Sequence, residues 1–426
     1  MRRSGALTLG VVLTLGGVTG GRGQELSGSV TAPTAPTLGG FVLPAIPENW
    51  ADLPFKLTAS QEVAFNSNIN AIPLGVPVPA GEVRSDFTST TNFGFSTKAN
   101  VSGQQLYLDT TFGLIRYLHQ VGFDSTVYSV SAGDNWTLTS RCAGNLGVTL
   151  TKSPVALTEL VATGVNYGKT TALSETGKCA VSNGYSLLFN TGWTELTNSN
   201  PIDALNNSRT TLLSAGIEYA KGESTVTAMA SNSYTIYSRG PIETVVGLAN
   251  VTDFHTFSLE YTRQISPNVS VNGLIGLVGT TGAFTFGLPR TLLPIYTLGV
   301  SWSFTPKLTL TASGSRTTTT PTTIVANAET TYTGLANLAY QVTPKVAFNV
   351  GGSISYSTGA FTPTAVAGLA PFLTGASDYY TANAGLTYTM TPFLSATLTA
   401  SYTERVSDHL ITPEDLVLVS LNYRPY

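Results

Sequence analysis

The chain has 426 residues, only 11% of them charged, and a formal net charge of −3. That near-neutral balance excludes a basic nucleic-acid binder and gives no reason to expect a strongly acidic substrate. Charge is well below the quarter typical of soluble domains, yet beyond the N-terminus no apolar run reaches the roughly 18 residues a membrane helix needs. The remaining class is a membrane protein that crosses with strands, where half of each strand is apolar and half is not.

Residues 1–23 read as a secretory signal peptide. Arg2 and Arg3 form the positive start, Ala6 to Val18 a short apolar stretch, and Gly21-Arg22-Gly23 a cleavage site before Gln24. Residues 24–53 form a Pro/Thr-rich periplasmic leader without periodicity, with the run Thr31 to Pro36 as its clearest part. Residues 54–426 are one barrel domain, since a single closed sheet absorbs this length.

Within that domain the alternation predicts strands at 55–66, 84–97, 104–118, 123–138, 142–152, 170–182, 185–196, 208–220, 224–238, 252–265, 268–280, 291–304, 307–316, 329–342, 345–357, 378–390, 393–405 and 414–424. The fold class is therefore all-β, a transmembrane up-and-down antiparallel barrel of about 18 strands. Sixteen is the alternative, because turn signals are vague over 142–196. Single-chain bacterial barrels use even strand numbers, with short periplasmic turns and long outer loops. The short turns fall near 139–141, 183–184, 221–223, 266–268, 305–307, 343–345 and 391–393, all on one side. Four of them carry Ser/Thr-Pro (Ser266-Pro267, Thr305-Pro306, Thr343-Pro344, Thr391-Pro392). Proline cannot donate to a sheet ladder and so marks a reversal. The long connections near 67–83, 153–169, 197–207, 239–251, 281–290, 317–328 and 358–377 all fall on the other side, where 119–122 is the short exception.

The period of two separates the faces. Tyr296, Leu298, Val300, Trp302 and Phe304 share one face, and Thr297, Gly299, Ser301 and Ser303 the other. Val346, Phe348, Val350, Ile354 and Tyr356 oppose Ala347, Asn349, Gly351, Ser353 and Ser355 in the same way. The apolar face is read as lipid-facing, with Val300, Phe348 and Leu398 near mid-membrane. The inward face is small, neutral and polar. Asp109, Glu218 and Glu260 alternate with apolar neighbours and point inward, as do Asn349 and Tyr107; these five are the lumen-lining candidates. Tyr219 is either a sugar-stacking ring or part of an interfacial girdle. Lys98, Arg116, Lys221, Arg263 and Arg405 lie near strand ends and read as solvated rim residues.

Cys142 and Cys179 fall at the start of one strand and near the end of the next, in a compartment where disulfides form. They are either bonded or two small apolar fillers. The histidines His119, His255 and His409 have no metal spacing. Ser258, the serine near His255, is read on the opposite face, so no catalytic constellation, metal site or cofactor is expected.

Several segments together resemble the β-barrel porins encoded in bacterial exopolysaccharide operons. They are the opening strand DLPFKLTASQEVAFNSNI, Ser85 to Ser89, Thr110 to Tyr117 with its near-terminal Arg-Tyr, the Thr-Pro turns and the ending Asn422 to Pro425. The resemblance implies a role in passing or anchoring a secreted polysaccharide at the outer membrane of a Gram-negative cell. The implied partners are outer-membrane lipid, the polysaccharide and periplasmic export components. The last strand, Leu418 to Tyr426, closes on an aromatic and resembles the signal read by the barrel assembly machinery. A small-solute diffusion porin and a plugged structural or adhesive barrel are the alternative functions.

Overall fold

A computed structural model describes residues 55–70, 72–78, 81–155, 166–199, 207–238, 251–280, 292–319, 326–361, 376–407 and 410–424. The signal peptide, the leader and His409 lie outside the described residues. The strands are β1 (Phe55–Asn66), β2 (Asp86–Val101), β3 (Gln104–Tyr117), β4 (Ser125–Thr139), β5 (Cys142–Val155), β6 (Asn166–Ser182), β7 (Tyr185–Asn198), β8 (Ser208–Lys221) and β9 (Ser224–Tyr237). They continue as β10 (Val251–Ser266), β11 (Val269–Thr280), β12 (Leu292–Thr305), β13 (Leu308–Thr319), β14 (Ala326–Thr343), β15 (Val346–Phe361), β16 (Ala376–Thr391), β17 (Leu394–Ser407) and β18 (Leu410–Tyr423).

Each strand pairs antiparallel with its sequence neighbours, and β1 pairs with β18 from Ala59–Tyr423 to Asn66–Leu416, closing an 18-stranded barrel. Closure matters in lipid because an open edge would leave backbone groups unsatisfied. Strand lengths run from 12 residues in β1 to 18 in β14, enough to cross a bilayer at the usual tilt of about 35–45°.

All eight connections at one end are two residues long, and two devices make them. In the first, backbone with positive φ supplies the twist that a tight hairpin needs: Ser102 (51°) and Gly103 (83°), Gly184 (82°), and Gly222 (58°). In the second, a hydroxyl before the turn substitutes for that geometry. Thr343 Oγ1 accepts from the N–H groups of Lys345 and Val346 at 3.2 and 3.1 Å, and Thr391 Oγ1 from Phe393 and Leu394 at 3.3 and 3.0 Å. Thr305 and Ser266 each capture one N–H in the same way, and a one-residue register shift follows beside all four prolines. Thr139 repeats the device without proline. Such side-chain acceptors satisfy turn amides that the ladder cannot reach.

The strands are longer than their apolar alternation predicts. β2 continues through Lys98 to Val101 against Gln104 to Tyr107, and Thr317-Thr318-Thr319 pairs with Thr331, Thr330 and Glu329. The second extension is all threonine and the first puts Lys98 and Asn100 on one face, and ladder bonds need no apolar side chain. β18 begins at Leu410 rather than at 414, so β17 and β18 are separated by only two residues. Pro413 was the misleading residue: it sits within the strand opposite Glu404. The connection after β3 contains a single 3-10 turn, Val121–Phe123.

The cross-strand register divides the residues into two continuous faces. One carries most of the exposed large apolar side chains, such as Leu298 (69%), Phe257 (64%), Ile275 (64%) and Ile354 (61%). The other carries the crowded small polar ones, such as Asn383 (1%), Thr90 (2%) and Ser214 (5%). Side chains diverge on the convex side of a closed cylinder and converge on the concave side, which identifies the apolar face as the outside. Near the short-turn end that outer face carries Tyr185, Tyr219, Tyr261, Trp302, Tyr340 and Tyr388, and near the other end Tyr234, Tyr296, Tyr332 and Tyr356. Two aromatic girdles flanking an apolar band are the mark of a barrel embedded in a membrane.

Candidate channel lumen

Much of the concave wall is Gly, Ser, Thr and Asn, with one apolar cluster where Phe254 and Val278 pack against Ile295, and a recurring pair organises the polar part. An inward asparagine lies over the glycine opposite it, occupying the space where a Cβ would stand. Asn92 covers Gly113, Asn272 covers Gly299 and Asn349 covers Gly385. Asn337 and Asn383 converge on Gly351 from both sides, their Oδ1 atoms 2.9 and 2.7 Å from the position of a Cβ there. The glycine provides room for the amide to lie along the wall instead of projecting into the lumen.

On β2 to β5, near the short-turn end, the lining becomes a hydrogen-bonded ladder. Asn145 Nδ2 donates to Tyr107 Oη (3.3 Å) and to Asn135 Oδ1 (2.9 Å). Asn135 Nδ2 donates to Gln105 Oε1 (3.2 Å), and Gln105 Nε2 donates to Asn100 Oδ1 (3.3 Å). Tyr107 fits because Gly133 and Gly147 leave space beneath its hydroxyl end.

The inward charges are grouped unevenly. Glu218 and Glu260 flank Thr227 in one cross-strand row of β8, β9 and β10. Lys178 on β6 reaches Glu218, Nζ to Oε1 2.6 Å, and Thr262 Oγ1 donates to Glu260 at 3.5 Å. Asp109 stands apart on β3, between Ser96 and Ser131. Toward the long-loop end, Arg405 lies over the Tyr379 ring at 5.6 Å, and Asn66 Nδ2 donates to Glu414 at 2.6 Å. The basic residues expected at the rim divide: Lys98 and Arg405 share the inward face, whereas Arg116, Lys221 and Arg263 point outward. Tyr219 is outward, with its ring 4.6 Å from that of Tyr185, and belongs to the girdle.

Sequence reasoning missed Lys178, which lies in the stretch where strand boundaries were least defined. It also missed the partners of Tyr107, because Asn135 and Asn145 meet that ring only through the register of three strands. Cys142 and Cys179 are cross-strand partners on β5 and β6 and are bonded, with Cα atoms 4.1 Å apart. His255 and Ser258 project to opposite faces. On the outer face His255 joins Asp253 (3.3 Å) and Asn232 (3.1 Å).

Among the described residues, the extensive contacts of each strand are with its neighbours in the barrel. The long connections that could enter it lie largely outside the described residues.

No protein-family model matches the chain, and no curated protein matches it. Among solved structures it is similar to the OccK9 (OpdG) protein of Pseudomonas aeruginosa, with a TM-score of 0.49 at 12% identity over 87% of this chain and 98% of that one. It is also similar to the FrpB iron transporter of Neisseria meningitidis, with a TM-score of 0.49 at 11% identity over 83% of this chain and 62% of that one. A bacterial polysaccharide outer-membrane secretin aligns over 86% of this chain and 98% of its own, at 12% identity and a TM-score of 0.38. Likeness at this level concerns fold alone. The closed 18-stranded barrel, its apolar outer band and its two girdles make the chain an outer-membrane β-barrel.

Proposed function

We propose that this barrel is an outer-membrane channel that assists export of a neutral or mildly acidic extracellular polysaccharide. The observation that carries the reading is the lining. Hydroxyls and amides of small side chains, with the ladder from Asn100 to Tyr107, offer both donors and acceptors to sugar hydroxyls. Asn-over-Gly packing keeps the wall flat and the bore wide. Inward carboxylates such as Asp109, Glu218 and Glu260 give a weak preference for cations without trapping a polymer. The resemblance to porins of exopolysaccharide operons points the same way, with periplasmic export components as partners.

A small-solute diffusion channel is the second reading. The grouping of Lys178, Glu218 and Glu260 on one arc of the wall favours it, since opposed charges in a bore sort small ions. Deleting the gene separates the two. Under the export reading, polymer synthesis at the inner membrane continues while secreted polymer falls. Unchanged secretion with slower uptake of small solutes would replace export with diffusion.

A further inference from the structure

We infer that the outer wall between β7 and β11 is a binding site for an anionic phospholipid of the leaflet on the short-turn side. The register stacks the outward residues of this sector in rows, read upward from the short turns. The first row is cationic, with Lys221, Ser224 and Arg263 side by side on β8, β9 and β10. The second holds the girdle rings Tyr219 and Tyr261 on either side of Val226. The next two have a floor of small side chains, Ala228, Ala230 and Ala215, between taller walls. Ile217 (53% exposed) stands on one side, and Leu259 (45%) and Phe257 (64%) on the other. An apolar depression of about 1040 Å³ follows these rows, and most of its lining residues are the outward members of β7 to β11.

The rows have the polarity profile of a lipid. From Arg263 to Phe257 is six residues of one strand, or about 20 Å of extended backbone, a reach comparable to an extended acyl chain. The cations lie just beyond the tyrosine row, at the depth where phosphates sit. Charge complementarity selects the headgroup. Arg116 and Arg209, outward at the opposite rim, are each paired with a carboxylate, at 2.9 and 2.8 Å. Lys221 and Arg263 are exposed, and neither belongs to an ion pair among the described residues. Two hydroxyls stand beside them, Ser224 and Tyr261, 3.5 Å apart. An acyl chain on the alanine floor brings a phosphate against Lys221 and Arg263, and a second anionic group on the headgroup strengthens the contact.

The test is native mass spectrometry of the full-length barrel released from detergent in the presence of phosphatidylglycerol or phosphatidylethanolamine. The wild type is expected to retain phosphatidylglycerol in preference by about thirtyfold, given two basic residues at an anionic headgroup. The double variant K221Q/R263Q should lose that preference while still carrying lipid. A228L/A230L, which fills the floor, should lose both lipids while keeping the heat-modifiable gel mobility of an assembled barrel. If A228L/A230L does not assemble, K221Q/R263Q alone decides. Equal retention of the two lipids by the wild type, or an undiminished preference in K221Q/R263Q, overturns the site.

Discussion

Arginine at Val300 or Leu398 is expected to destabilise the folded barrel by about 2–4 kcal/mol, the penalty for a cation on the lipid face near mid-membrane. Val300 lies between Val271 and Ala312 on the outer face, and Leu398 between Leu386 and Val419. Their chain neighbours Ser301 and Thr397 face the lumen, where a guanidinium meets water and hydroxyls. Arginine there should cost little. The comparison is internal, because each pair differs by one residue and shares strand, depth and backbone environment. Phe348 departs from the sequence expectation of mid-membrane depth. It is the third residue of β15 and pairs with the girdle residue Tyr340. Arginine at Phe348 should therefore cost only about 0–1 kcal/mol, the value near an interface. Ile354, 61% exposed and farther along the same strand, should show the large penalty. Equilibrium unfolding of the barrel in lipid vesicles measures all of these. Equal losses at Val300 and Ser301 would mean that the two faces are misassigned.

Replacing Asp86 with alanine should cost about 2–4 kcal/mol and free the connection between β3 and β4. The Asp86 side chain is fully buried at the long-loop end. It accepts from the backbone N–H groups of Phe87 (2.7 Å), His119 (3.1 Å) and Gln120 (2.8 Å), and lies 3.0 Å from His119 Nδ1. Hydrogen bonds to a charged acceptor are worth about 1.5–3 kcal/mol each, and loss of the acceptor leaves buried N–H groups unsatisfied. Asparagine keeps one acceptor oxygen and should lose about half as much. Amide hydrogen exchange at His119 and Gln120 should accelerate in both variants, more in the alanine one. Unchanged exchange would show that Asp86 does not hold this connection.

The parts of the fold that were legible in the sequence are those governed by local chemistry. Thr305-Pro306, Thr343-Pro344 and Thr391-Pro392 announce reversals because proline ends a ladder, and the neighbouring threonines complete the turn. The alternation from Tyr296 to Phe304 shows its faces because lipid demands an apolar side. The strand ends were less legible. Thr317 to Thr319 carry no apolar signal and Lys98 to Val101 only a short one, and Pro413 reads as a break although it lies in β18 beyond the last residue paired with β1, where a missing N–H removes no ladder bond. The lining was visible as composition but not as arrangement. That Asn337 and Asn383 meet over Gly351, or that Lys178 reaches Glu218, depends on the register of strands dozens of residues apart. Asp109 alternates as Glu218 and Glu260 do, yet nothing in its sequence says that it stands on a different arc of the wall.

The most direct test of the central claim is the conductance of the purified barrel in a planar lipid bilayer under a salt gradient. A lumen that is open and lined by small neutral groups gives discrete conductance steps with a modest cation preference. That preference should fall in the double variant Glu218→Gln/Glu260→Gln without closing the pore. A bilayer that stays silent although the barrel has inserted, or an anion preference unaffected by the two substitutions, would contradict an open, weakly cation-selective channel.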